Sequence, residues 1–436
     1  MQFFRKVPYY SILDSITCYY RVMDWYRRLF SVNEIEENKV LWLMFGATIL
    51  SYFAAFNSWF YQNATTLDAY LDGSYICWPY FQSCEKFLFL RTLPEGYSQP
   101  FIYMLLFGLI FLSVYFALKK DWVRAHMAIF PSFVWHAFTI FILTFGISGN
   151  YDYYLFFLAF ILLFLPHKEF FLKLTLVLFY FTAATIKIHE GWVLGTYFSA
   201  LKTGLPIFPD WSIPIWTNLV IFMQIVGAWF LLSANKFLQR TALVFFVAFH
   251  LYSGLLVGYR YPTTVLPSIL ILFGPMFKYT PPPPFRSSVL GWILVVLIFV
   301  AQSISILIPG DVKMTMEGNK YGLYMFEANH QCISSTDIYY TDGSIQSIEK
   351  QSESSRSRCD PYSYWFRIKT ACERDKEVES IAWTFDHSIN GGTFVRIVDV
   401  EDACALKYKP FSHNEWIKTI EDNPEIMGLP VENVYD

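Results

Sequence analysis

Along the chain, apolar residues gather into nine long stretches separated by short polar connections. They fall at about 41–60, 100–118, 127–147, 152–166, 170–188, 214–233, 241–258, 263–278 and 289–308, most of them long enough for an α-helix to cross a bilayer core. The fourth is short and the eighth contains a proline. The pattern predicts a mainly α fold, a polytopic transmembrane helical bundle of about nine spans over 41–309, preceded by a segment 1–40.

Beyond Pro309 the pattern changes to short apolar alternation with frequent charges, which predicts a β-rich C-terminal domain over 310–436. "TDIYYTDGSIQSI", "SYWFRIKT" and "TFVRIVDV" read as strands, with "DG" and "NGG" as turns between them. "SHNEWIKTIEDN" reads as a closing helix with Ser412 as its N-cap. "KYTPPPPFRSS" is a stiff polyproline linker between the last two apolar stretches.

Composition agrees, because 55% hydrophobic and 20% aromatic residues in 436 positions is too apolar for one soluble globule. Basic residues set an orientation. Arg5, Lys6, Arg21, Arg27 and Arg28 precede the first stretch, Lys119, Lys120 and Arg124 follow the second, and Lys168, Lys236, Arg240, Lys278 and Arg286 occupy alternate later connections. Cytoplasmic loops retain such residues, so the amino terminus is expected in the cytoplasm and the C-terminal domain outside, in a plasma (inner) membrane. The first residues are too polar for the core of a cleavable signal and read as a basic, aromatic interfacial helix or a solvated arm.

On that orientation Cys77, Cys84, Cys332, Cys359, Cys372 and Cys404 all lie outside and Cys18 lies inside. Even numbers on the oxidising side make the six disulfide candidates, with three connectivities open to the last four. A formal net charge of −3 and the lack of a basic stripe outside the membrane leave nucleic acid without an expected role. No GxSxG, HExxH, GxGxxG or P-loop spacing occurs, so hydrolase, zinc-protease and nucleotide-driven chemistry lack a motif.

"FTAATIKIHEGWVLG" places Lys187 near the end of an apolar stretch. A charge within a span costs from about 2.5 kcal/mol on insertion scales to several times that in simulations, so the residue needs an offset. Two readings are open: a lysine snorkelling to the headgroups, or a desolvated amine acting as a general base. Ala183 and Ala184 leave a small-residue face beside it, and a helix continuing past it would bring Glu190 to i+3. His250 and His136, in apolar helices, read by themselves as hydrogen-bonded core histidines. Arg260 reads either as a fork for an anionic substrate or as an interface anchor. Glu327, His330 and Cys332 in "EANHQC" have metal-ligand types, although a disulfide with surface polar residues is the default.

The segment "YFTAATIKIHEGWVLGTYF" resembles one in the vitamin K-dependent gamma-carboxylases and the wider family with the horizontally transferred transmembrane helices domain; Tyr180, Phe181, Ala183, Lys187, Trp192 and Gly195 fall into register with it. "VAFHLYSGLLVGYRYPTTVLP" is similar to that family's membrane-histidine helix, and "GLYMFEANHQC" to its entry into an outer β-rich domain. The chain departs from the carboxylases at Tyr151, where they have a histidine.

The resemblance implies Lys187 and His250 as catalytic residues; Trp192, Tyr151 and Arg260 are the candidate cofactor contacts. It also implies a reduced, vitamin K hydroquinone-like quinone as cofactor, with oxygen and carbon dioxide as co-substrates, acting on glutamate in a secreted or membrane peptide or protein. Lys187 would take a proton from the quinol; oxygenation would yield a base strong enough to deprotonate the substrate glutamate, whose carbanion captures carbon dioxide. The enzyme would be a lyase by class. The alternative is a non-carboxylating scaffold that binds or matures a secreted peptide. A transporter would need matched intramembrane charges or broken helices in both halves, and no matching pair is visible.

Overall fold

Each of the nine apolar stretches coincides with helix: α1 Lys39–Tyr61, α2 Ser98–Leu118, α3 Trp122–Phe138, α4 Asn150–Phe164, α5 Lys168–Thr185, α6 Ile213–Phe222, α7 Lys236–Val257, α8 Arg260–Phe273 and α9 Phe285–Leu307. The structure is a computed structural model that describes residues 21–61, 76–91, 98–143, 150–199, 204–257, 260–324, 328–351 and 359–419. Cys18, Glu327 and the first half of the 1–40 segment lie outside the described residues.

Among the described residues, five stretches are long and apolar enough to cross a membrane: Lys39–Phe60, Phe101–Leu118, Trp122–Ile142, Asp210–Phe230 and Phe285–Leu307. Tyr151–Phe164 and Pro262–Phe273 are shorter apolar helices. α5 differs in kind, opening on Lys168, Glu169 and Lys173 and burying almost every residue. A helix enclosed on all sides has no single apolar stripe and touches neighbours rather than lipid. α9 closes against it at Gly291, where an added Cβ would lie 2.1 Å from the Phe171 ring.

Two helices slip into π turns. α3 continues through Thr139–Leu143, and α6 through Met223–Gly227 into Ala228–Phe230. A π turn frees backbone carbonyls. Ile140 O accepts from Trp78 Nε1 at 2.5 Å and Phe141 O from the Tyr80 hydroxyl at 2.8 Å.

Trp78 and Tyr80 belong to a segment, 76–91, that joins the C-terminal part of the chain. Ile76, Cys77, Trp78 and Cys84 share a core with Tyr362, Trp365, Trp383 and Phe385. That core holds an antiparallel sheet in the order β2-β1-β3-β4, with β1 His330–Tyr340, β2 Ile345–Gln351, β3 Val378–Ile389 and β4 Val395–Val400. The "DG" and "NGG" turns fall where expected, and Gly343 and Gly391 take φ values of 82° and 78°. Disulfides Cys77–Cys84, Cys332–Cys359 and Cys372–Cys404 all lie in this end of the molecule, with Cα atoms 5.5, 5.6 and 5.8 Å apart.

Two expectations for this part fail. "SYWFRIKT" is not a strand but the middle of α10, Pro361–Arg374. Asp360 caps it by accepting from Tyr362 N at 3.1 Å, Pro361 supplies the first turn, and Tyr362, Trp365 and Phe366 at helical spacing bury against the sheet. "SHNEWIKTIEDN" forms turns through residue 419 rather than a helix, and Ser412 caps nothing. Asn414 is the physical reason: its side chain accepts from Lys409 N at 2.6 Å and donates to Glu317 at 2.8 Å, holding the backbone in a non-helical path.

The α5–α9 contact yields a direct test. Gly291→Ala should destabilise the bundle by about 1–3 kcal/mol through overpacking on Phe171. Gly46→Ala in α1, whose Cβ meets nothing within 4 Å, should not. Thermal unfolding in detergent distinguishes the two, and equal losses would contradict the packing described.

Candidate functional site

α5 ends at Thr185, two residues before Lys187, so the helix predicted to continue past the lysine stops short of it. Lys187 is only 4% exposed. Its chain folds back over its own helix, Nζ donating to Ala183 O at 2.5 Å and lying 5.5 Å from the Trp192 ring centre. This is not a snorkelled anchor. The last carbonyls of a helix lack intrahelical donors, and a lysine at that end satisfies one of them. Glu190, expected at i+3, is exposed and opens a separate short helix, Glu190–Val193. His189 caps that helix, its Nδ1 accepting from Gly191 N at 3.1 Å.

Tyr180 lies on the α5 face that leads to Ala183, Ala184 and Lys187, following the i, i+3, i+4, i+7 rule. Its hydroxyl shares a 2.5 Å hydrogen bond with His250 Nε2, and its ring packs 4.1 Å from Phe246. His250 on α7 is fully buried. The residue before it, Phe249, faces the other way and lines a cavity of about 380 Å³. Trp192, Phe208, Trp216, Tyr252 and Leu256 form more of its wall, which is almost wholly apolar. The Tyr252 hydroxyl ties this wall to Pro206 O. Trp192 is therefore the common element of the lysine and the cavity, stacked on Tyr197 at 5.3 Å.

The remaining candidates are placed elsewhere. Tyr151 lines a second cavity, between α1, α4 and α8, that shares no lining residue with the first. Arg260 opens α8, but its side chain lies outside the described residues. Of the "EANHQC" set, Cys332 is held in its disulfide and His330 is paired with His387. Two features were not singled out from the sequence, although Tyr180 itself stands in the segment that resembles the carboxylases. One is Tyr180 as the partner of His250. The other is Asp152, fully buried at the start of α4, with Oδ1 3.5 Å from His136 Nε2. An aspartate heading an apolar helix was a visible signal for the latter.

The sheet reaches this region through Asn329, whose Nδ2 donates to Tyr197 O at 2.5 Å. Beside Asn329 the two histidines fix each other's tautomers. His387 Nδ1–H donates to Met314 O at 2.7 Å, so its Nε2 accepts from His330 Nδ1 at 3.0 Å. Burial, reinforced by the neighbouring His330, holds His387 down to about 3 from the ordinary 6.5.

No protein-family model, curated protein or solved structure matches the chain.

The histidine pair gives the sheet a pH dependence of definite sign. His387 stays neutral when folded but takes a proton near its ordinary value when unfolded, so the unfolded state gains protons first. Stability is full above about pH 6.5 and falls as pH drops toward 3, by up to about 1.4 kcal/mol per pH unit. Near-ultraviolet circular dichroism melts at pH 7 and pH 4.5 should show that loss, and His387→Gln should flatten the dependence.

Proposed function

We propose that this chain is an integral membrane enzyme of the gamma-carboxylase-like type, using a reduced quinone or similar lipid-phase cofactor to modify glutamate in a secreted or membrane peptide or protein. One observation carries the reading: a lysine withdrawn from water, set against an aromatic ring that walls an apolar cavity. The similarity of the Tyr180–Gly195 segment to the carboxylases and their wider family supports it independently.

The residues fit such a cofactor. The cavity of about 380 Å³ lined by Trp192, Phe208, Trp216 and Phe249 suits the apolar body of a quinone. When bound, the reduced quinone supplies, with oxygen, a base strong enough for glutamate deprotonation before carbon dioxide is captured. Lys187 accepts the hydroxyl proton at Nζ. A neutral amine that spends one N–H on Ala183 O keeps its lone pair for that task. His250, joined to Tyr180, holds charge steady behind the site. The apolar wall excludes water that would quench a strong base.

The second reading, a scaffold that binds or matures a secreted peptide, is favoured by β2. This edge strand is exposed along its whole length, the geometry by which an extended peptide adds to a sheet.

In the proposed arrangement the bundle has about nine spans in a plasma (inner) membrane, with the amino terminus cytoplasmic and the disulfide-bearing end outside. After mild reduction, an impermeant thiol reagent should reach the partly exposed Cys372 and Cys404 on intact cells but not Cys18; the opposite pattern would invert the topology.

The activity is tested with membranes given labelled carbon dioxide, a reduced naphthoquinone and a glutamate-rich peptide. Wild type should incorporate label, and Lys187→Ala should reduce the rate at least ~100-fold, the usual scale for removing a general base. Label that is absent, or indifferent to Lys187→Ala, would overturn the carboxylase reading and leave peptide binding to be tested by pull-down with the 328–419 sheet in the full chain.

A further inference from the structure

The sheet treats its two edges differently. At β4, Ile397 O receives Lys418 N at 2.8 Å, and the pairing of β3 with β4 shifts at a bulge between Phe385 and Asp386. Cover and bulges are the usual ways of blunting an edge. β2 has neither: Ile345–Gln351 pairs with β1 in unbroken register, is exposed at every residue and contains no proline. Two isoleucines stand on it, Ile345 and Ile348, 61% and 41% exposed.

The ladder fixes which backbone groups this edge offers. Tyr340 N donates to Ser344 O at 3.0 Å, which makes those two a hydrogen-bonded pair. Such pairs alternate along an antiparallel ladder, so Gln346, Ile348 and Lys350 bond to β1, while Ile345, Ser347, Glu349 and Gln351 turn N–H and C=O outward. Among the described residues no hydrogen bond reaches those outward groups.

The strand is also complementary to itself. Two copies laid antiparallel pair symmetrically about one residue, and the charges decide which. A register centred on Glu349 or Lys350 sets like charges directly opposite each other, which is destabilising. One centred on Ser347 runs Lys350 and Gln351 into the turn that precedes β2. Centred on Ile348, all seven residues pair: Ile348 with Ile348, Ser347 with Glu349, Gln346 with Lys350 and Ile345 with Gln351. Outward groups then meet outward groups, and the isoleucines meet at the close, non-hydrogen-bonded position.

A bilayer adds a condition, because both bundles must stand the same way up. The two-fold axis of an antiparallel strand pair runs perpendicular to the sheet, so the sheet must face the membrane. Its buried face is turned toward the bundle: His387 on β3 donates to Met314 O just beyond α9, and the sheet's core packs on Phe141 and Tyr153 from the ends of the bundle helices.

We infer that β2 is a homodimer interface, at which a second copy of this chain pairs its own β2 antiparallel about Ile348 and joins the two sheets edge to edge over bundles that share one bilayer. This is the edge that the scaffold reading gives to a peptide, and one occupant excludes the other. The carboxylase reading does not depend on it.

The test uses the full chain in membranes, in a Cys18→Ser background. Ile348→Cys should form an intermolecular disulfide on mild oxidation, since non-hydrogen-bonded partners stand about 4.5 Å apart at Cα, within disulfide reach. Gln346→Cys lies on the same face but about 13 Å along the strand from its own copy, and should not cross-link. Ser347→Pro removes an outward N–H and leaves the β1 ladder its bonds, so it should keep the fold and abolish the Ile348→Cys cross-link. Wild type carrying one fluorophore per chain, at low density in phosphatidylcholine vesicles, should bleach in two steps and Ser347→Pro in one. If Ser347→Pro unfolds, the wild-type step count and the contrast between Ile348→Cys and Gln346→Cys decide the matter. Lys187→Ala should still bleach in two steps, so a failed carboxylation assay leaves the dimer standing. Single-step bleaching of wild type, equal cross-linking of the two cysteine variants, or two-step bleaching of a folded Ser347→Pro would overturn the inference. A single-copy wild type that binds the glutamate-rich peptide, and loses it on Ser347→Pro, would overturn it in favour of a peptide.

Discussion

A helix that ends among apolar side chains has no water for its last carbonyls, and this one constraint organises the bundle. Leaving such an acceptor unbonded costs about 1–3 kcal/mol, so long donors are brought in from neighbouring segments. At the end of α4, Leu163 O receives His126 Nε2 at 2.9 Å and Leu165 O receives Lys168 Nζ at 2.8 Å. His126 is in turn fixed by the Tyr26 hydroxyl on its other nitrogen at 2.8 Å. Phe273 O, closing α8, receives Gln239 Nε2 at 2.7 Å. Lys187 at the end of α5 is one more instance of the same solution.

That observation changes how Lys187 is understood. A buried lysine in a membrane chain needs a structural offset before it can have a chemical role, and Ala183 O supplies it. Structure and reactivity are compatible here, since the bond that closes the helix also holds the amine beside Trp192. The opposite end of α5 is finished with equal care: the Glu34 carboxylate accepts from His167 N and Lys168 N at 2.8 Å each. Both ends of the most enclosed helix are therefore tied by polar side chains to fixed backbone, which keeps the residues between them in register with α7 and α9.

The long-range plan was legible from period and composition. Nine apolar stretches became nine helices, and the six cysteines expected outside became three bridges at one end. What escaped were features decided by contacts far along the chain. "SYWFRIKT" has apolar positions that satisfy either a two-residue or a helical period, and the deciding signals were Asp360 and Pro361 just before it. The end of α5 at Thr185 was invisible because apolar residues run on past it. Asp152 drew no reading from the sequence, because its neighbour His136 stands on another helix. Periodicity reports which face is apolar; it does not report which buried polar groups meet.

The segment 76–91 is stitched into the sheet's core by Trp78 and by the Tyr362 hydroxyl, which donates to Cys77 O at 2.8 Å. It is made between α1 and α2, whereas β1 begins only at His330. Its bridge spans a sequence separation of 7, short enough to close on local encounter alone. The chain thus carries an early-made docking plate that must keep its shape, its sheet-facing side uncovered, until the strands are synthesised. Biogenesis, rather than the finished fold, is where this arrangement is most exposed: the interval between those two events is a window for mispairing, and a local disulfide narrows it.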